Sequence, residues 1–112
     1  MGNSATMPPC RIPGCGEVVP SILRIETLCP EHFIEFTILS ARQALDRCEG
    51  AQPVDQRVMD WLFSDAAFIA RDLTAHARAL PEKHREQLFE LLLCLTNLHE
   101  YVKHHSVELS AT

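Results

Sequence analysis

The residues that break helices are gathered at one end of this chain, and that distribution constrains the fold more than any other feature. The first 30 residues hold five of the seven prolines and three of the four glycines. Beyond them only Gly50, Pro53 and Pro81 interrupt the sequence. A chain of 112 residues has the length of one ordinary domain, so a turn-rich N-terminal module followed by a helical body is expected. Apolar residues make up 46% and charged residues 22%, a composition that folds rather than remaining disordered. There is no internal repeat and no low-complexity tract.

In the body the apolar residues recur at helical spacing. Ile34, Ile38, Ala41, Leu45 and Cys48 fall on one face of a helix that starts at Pro30, where a missing N–H costs nothing, and stops at Gly50. A second segment runs from Pro53 to about Leu80, with a stripe of Val54, Val58, Trp61/Leu62, Ile69, Leu73, Ala77 and Leu80. Pro81 either opens a third helix or kinks a continuous one. The third segment, roughly 82 to 106, carries Leu88, Leu91/Leu92, Leu95, Leu98 and Val102, opposite Glu86, Glu90, Asn97 and Glu100. No segment alternates as a strand of the body should. The expected fold is mainly α: a small N-terminal module with a short β-hairpin, then three helices as an αα-hairpin or bundle. The expected division is a tail at 1–9, a module at 10–36, a helical bundle at 30–106 continuous with it in one domain, and a tail at 107–112. A second helix of some 28 residues would span about 42 Å, long for so small a monomer, and so a homodimer pairing two hairpins is expected.

The strongest chemical signal lies among the breakers. Cys10-Arg-Ile-Pro-Gly-Cys15-Gly is followed, after thirteen residues, by Cys29-Pro-Glu-His32. A zinc ion takes four soft or borderline ligands tetrahedrally, and two close pairs brought together by a turn provide that set. Pro13-Gly14 forms a tight turn that carries both sulfurs of the first pair to one side. Val18-Val19 and Ile22–Ile25 read as a hairpin around Pro20-Ser21. Cys29 precedes the helix and His32 lies in its first turn, where unpaired N–H groups favour thiolate charge.

Cys-x4-Cys, a hairpin, then Cys-x2-His at the head of a helix resembles a treble-clef or knuckle-type zinc finger. The Pro13-Gly14-Cys15 turn and the Leu-Cys-x-x-His-Phe run at 28–33 carry the likeness, which covers residues 10–36. It implies Cys10, Cys15, Cys29 and His32 as metal ligands and one structural zinc ion, Zn(2+), per chain. The four-residue first spacer is longer than the usual two, and Glu17, Glu26, Glu31 and Glu35 stand where nucleic-acid-binding members are basic. With a formal net charge of −5 and only Arg11 and Arg24 in the module, nucleic-acid binding is disfavoured.

Other groupings read more simply as structure. Glu100, His104 and Glu108 are spaced i, i+4, i+8 near His99 and His105, which fits a solvated helix end better than a second metal site. Asp72 and His76 form a surface pair with no nucleophile placed beside them. Cys48 and Cys94 read as small core residues. The opening Met-Gly-Asn-Ser-Ala-Thr matches an N-myristoylation pattern at Gly2 and Thr6, a short pattern that recurs by chance. Five cysteines, an odd number, with no leader-like opening, fit a reducing cytoplasmic setting, and no run is long enough to span a membrane. The expected function is non-enzymatic: a zinc-binding helical protein acting through protein–protein contacts or self-assembly, as adaptor, regulator or scaffold. Two alternatives are a zinc-finger DNA-binding transcriptional regulator and a small metal-dependent hydrolase.

Overall fold

The structure is a computed structural model that describes residues 9–110; the myristoylation pattern at Gly2 lies outside the described residues. The fold is mainly helical, as the periodicity predicts. Helix α1 spans Pro30–Glu49, α2 Gln56–Phe63, α3 Asp65–Ala75 and α4 Glu82–His104. Two short strands, β1 (Val54–Asp55) and β2 (Leu109–Ser110), follow α1 and α4 respectively.

The central pairing is α1 on α4. Glu31 meets Lys83 and His84, Arg42 meets Glu90, and the Tyr101 hydroxyl donates to the Cys48 carbonyl oxygen. Residue numbers rise together along both helices, so the pair is parallel. A parallel pair needs a return limb between its members, and α2 with α3 supplies it. The same geometry explains the sheet: both long helices end at one end of the molecule, and β1 and β2 leave side by side, pairing in parallel as Val54 with Leu109 and Asp55 with Ser110. Leu109 and Ser110, expected in a tail, therefore tie the end of α4 to the exit of α1.

The apolar stripes of α1 and α4 face the core, with Leu45, Leu92 and Val102 only half-buried at its edge. Ile34, Ile38, Ala41 and Cys48 face Leu88, Leu91, Leu95 and Leu98 within one core. Met59 and Leu62 of α2 and Ala66, Ile69, Ala70 and Leu73 of α3 complete it. Thr37, fully buried within this apolar set, satisfies its hydroxyl by donating to the Phe33 carbonyl at 2.7 Å. Pro81 turns the chain back rather than kinking a helix: its ψ of 153° is extended, and the chain enters α4 at the next residue.

Two expectations are corrected. The second segment is not one long helix but breaks at Ser64, with φ −119° and ψ −82°. The Ser64 hydroxyl donates to the Asp60 carbonyl oxygen at 2.5 Å, competing with the backbone at the point where the helix ends. Limbs of 8 and 11 residues replace the expected span, which removes the length argument for pairing two chains. The β-hairpin around Pro20-Ser21 is also absent; Ser21–Leu23 forms a 3-10 turn that buries Leu23 completely. Local hydrogen bonds Leu23 to Pro20 and Thr27 to Leu23 (2.9 and 2.8 Å) satisfy this segment without a partner strand.

Neighbouring leucines of α4 test this arrangement. Leu91 is fully buried, whereas Leu93 is 48% exposed. Leu91→Ala is expected to lower the urea unfolding free energy by about 2–5 kcal/mol, and Leu93→Ala by no more than about 0.5 kcal/mol. Equal losses at both positions would contradict the assigned face of α4.

Candidate metal centre

The module builds its site from two loops and a helix start. In the first loop, the Cys15 N–H donates to the Ile12 carbonyl oxygen at 3.1 Å, with Pro13 and Gly14 between them and Gly14 at φ +81°. Proline followed by a glycine of positive φ is the signature of a type II turn, and it folds Cys15 back toward Cys10. Gly16, at φ +71°, continues the reversal. The loop is closed by the Cys10 N–H to Glu17 carbonyl bond at 2.9 Å and by an antiparallel bridge between Pro9 and Val18. Antiparallel pairing thus occurs across the cysteine loop rather than at the predicted hairpin.

The second pair is presented by α1. Cys29 is its N-cap residue, Pro30 its first residue, and His32 completes the first turn. The Arg11 N–H donates to the Thr27 carbonyl oxygen at 2.9 Å, joining the cysteine loop to the strand-like approach of Cys29. Thr27 itself has φ +59°, a left-handed conformation that ends the preceding 3-10 turn and redirects the chain.

These elements bring all four predicted ligand atoms within 4.8 Å of one another. Cys15 Sγ lies 3.8 Å from Cys29 Sγ, and His32 Nδ1 lies 3.4 Å from Cys10 Sγ and 3.3 Å from Cys29 Sγ. A tetrahedral centre with metal–sulfur bonds of ~2.3 Å and metal–nitrogen bonds of ~2.0–2.1 Å has S···S edges of about 3.8 Å and S···N edges of about 3.5 Å. The three edges match that frame. Cys10, Cys15, Cys29 and His32 are positioned to bind a metal ion, and all five cysteines are free thiols.

The electrostatics show what such a set lacks by itself. Burial pushes the Cys10 thiol up, but hydrogen bonds from the backbone of Cys29 and Ile12 and from His32 and Cys15 outweigh it and bring it down to about 6. Burial pushes the Cys29 thiol up to about 12, with Cys15 and Cys10 adding to the rise against the backbone of His32. One thiolate is welcome in this cluster; a second beside it is opposed. A divalent cation bound among these ligands would reverse that opposition at Cys29.

The centre is anchored to the helical body at two points. Glu31, next to His32, reaches Lys83 (3.5 Å) and His84 (3.4 Å) at the start of α4. Burial alone would raise its carboxyl, but the Lys83 charge and the His84 contact hold it below its ordinary value. On the other side Trp61 donates to Glu26 at 3.2 Å and packs edge-on against Phe33 and Phe36. Sequence reading missed both anchors, since neither Glu31–Lys83 nor Glu26–Trp61 has any local spacing to reveal it.

The other groupings stay apart from any centre. His104 contacts Glu100 at 3.4 Å in an exposed pair, and Glu108 lies beyond the end of α4, so the i, i+4, i+8 face is not maintained. His76 Nδ1 lies 2.9 Å from the Asp72 carbonyl oxygen and 3.8 Å from its carboxylate, in an exposed pair. Burial, then the charge of Glu49, pushes the Cys48 thiol up, in keeping with a core residue. No protein-family model, curated protein or solved structure matches the chain. No helix among the described residues is long and apolar enough to cross a membrane.

Because Cys29 holds its proton up to about 12, ligation must displace it. Adding Zn(2+) at neutral pH is expected to release at least one proton per chain, and the apparent affinity to rise with pH. Calorimetry in two buffers of different ionisation enthalpy checks this; identical heats would contradict it.

Proposed function

We propose that the protein is a zinc-stabilised, non-enzymatic helical protein that acts through protein–protein contacts. One observation carries the reading: four protein ligand atoms, three of them thiols, converge within one small volume at the head of α1, with Cys10 and Cys29 buried. Three thiols with one imidazole favour zinc, and a set that fills all four positions is the structural rather than the catalytic pattern. The ion clamps the cysteine loop onto α1 and supplies folding energy that a turn-rich module of this length lacks.

The same module supports a contact surface. Phe36 and Leu39 are 46% and 57% exposed on α1, and with Ile12 and Leu28, flanked by Arg11, His32 and Glu35, they line a shallow groove of about 300 Å³ beside the cysteines. Zinc therefore holds one wall of an apolar surface in place. Of the module's two basic residues, Arg11 already donates to the Glu26 carbonyl oxygen, which leaves little for phosphate binding. The reading extends to self-association, with a homodimer in a cytoplasmic, reducing setting as the form to look for.

Native mass spectrometry of protein purified without added metal tests both parts. One zinc per chain supports the clamp, and a metal-free chain overturns it; the same spectrum reports whether two chains pair. Cys29→Ser is expected to abolish zinc retention and disorder the N-terminal module while the far-ultraviolet helical signal largely survives. Complete loss of helicity would make the module the nucleus of the whole fold rather than a clamp at one end.

A further inference from the structure

A second feature lies at the far side of the return limb. A groove of about 620 Å³ runs between the α2–α3 junction and the C-terminal half of α4. Leu62 and Leu95, both buried, and Phe63, Leu92 and Val102 give it an apolar lining. His99 packs edge-on against Phe63, with centroids 5.6 Å apart. The volume falls in the ~300–1,000 Å³ range of sites for small organic ligands. Along α4 the lining runs from Leu92 to Lys103, a length of about 16 Å at ~1.5 Å per residue.

Its charge departs from that of the molecule. The chain carries a net −5, yet no Asp or Glu lines this groove, while Arg71 of α3 and Lys103 of α4 do. Both cations are exposed, and neither has an ion-pair or hydrogen-bond partner among the described residues. Most other cations are engaged, Arg42 with Glu90, Lys83 with Glu31, Arg47 with the Pro53 carbonyl and Arg85 with the Leu80 carbonyl, whereas Arg24 and Arg78 are unpaired among the described residues but line no apolar groove of this size. An elongated apolar trough with two unpaired cations complements one chemistry, a hydrocarbon body with an acidic head.

We propose that this groove binds an anionic amphiphile, a medium-length acyl chain ending in a carboxylate. The chain lies on Leu62, Leu92 and Leu95, and the carboxylate is held by Arg71, whose planar fork suits two-point contact, in the field of Lys103. Binding is non-covalent and leaves the metal centre untouched.

The test titrates the zinc-loaded protein with dodecanoate, below the concentration at which it forms micelles, and follows it by calorimetry, with dodecanol as the uncharged control. The expected result is saturable binding of one dodecanoate per chain. Replacing Arg71 and Lys103 together by alanine is expected to weaken dodecanoate by about tenfold, the lower end for a charge-assisted hydrogen bond, while dodecanol is unaffected. Thr96→Trp, which fills the groove from an exposed position, is expected to abolish binding of both; Arg71→Gln serves if that variant loses its helical signal. Four outcomes would overturn the proposal: no saturable binding, binding indifferent to Thr96→Trp, equal retention of dodecanoate by the double variant, or a wild-type dimer that Thr96→Trp dissociates, which would mean that a second copy occupies the groove.

Discussion

Three thiols and an imidazole held within 4.8 Å impose a constraint on charge that the rest of the N-terminal third is built around. Backbone groups of Cys29 and Ile12 stabilise one thiolate, at Cys10, while burial, with the neighbouring Cys15 and Cys10 adding to it, holds the Cys29 proton in place. A second thiolate, at Cys29, is therefore opposed by its own surroundings. A divalent cation bound there would offset that opposition, and the turn at Pro13-Gly14, the bridge at Pro9–Val18 and the start of α1 are the elements that hold the four groups together. The turn and the bridge are held by backbone hydrogen bonds within the module, and Glu31 and Glu26 tie it to α4 and α2.

The helical body solves a different problem. Because α1 and α4 run parallel, the chain must travel the length of the pair between them, and α2 and α3 use that return to cover the remaining apolar surface. Parallel exit of both long helices also explains why two residues after α4 find two residues after α1 as a strand partner.

How legible this was depended on the range of the interaction. The helical stripes of α1 and α4 were readable because a period of 3.6 is a local property, and residues such as Ile34 and Leu91 are buried where it places them. The four metal-facing residues were readable because ligands in close pairs announce themselves by spacing. The break at Ser64 was not, since Leu62, Ala66, Ile69 and Leu73 keep helical spacing straight through it; only a hydroxyl turned onto Asp60 marks it. The hairpin at Pro20-Ser21 was misread because Val19 and Leu23, four apart, are the residues buried, a helical rather than an alternating interval. The unpaired cations of the α4 groove were invisible, because the absence of a partner is a property of three dimensions alone.

The parallel arrangement of α1 and α4 also sets an order in time for a chain emerging from the ribosome. The four clustered residues span 22 positions, from Cys10 to His32, so all of them are present once the start of α1 is exposed. The partners of α1 come much later: Arg42 waits 48 residues for Glu90, and Cys48 waits 53 for Tyr101. Until α4 has been made, Ile34, Ile38 and Ala41 have no permanent cover, and closing contacts of that separation is the slow part of folding. The cluster at the head of α1 thus depends on residues close in sequence, whereas the α1–α4 face depends on residues made last.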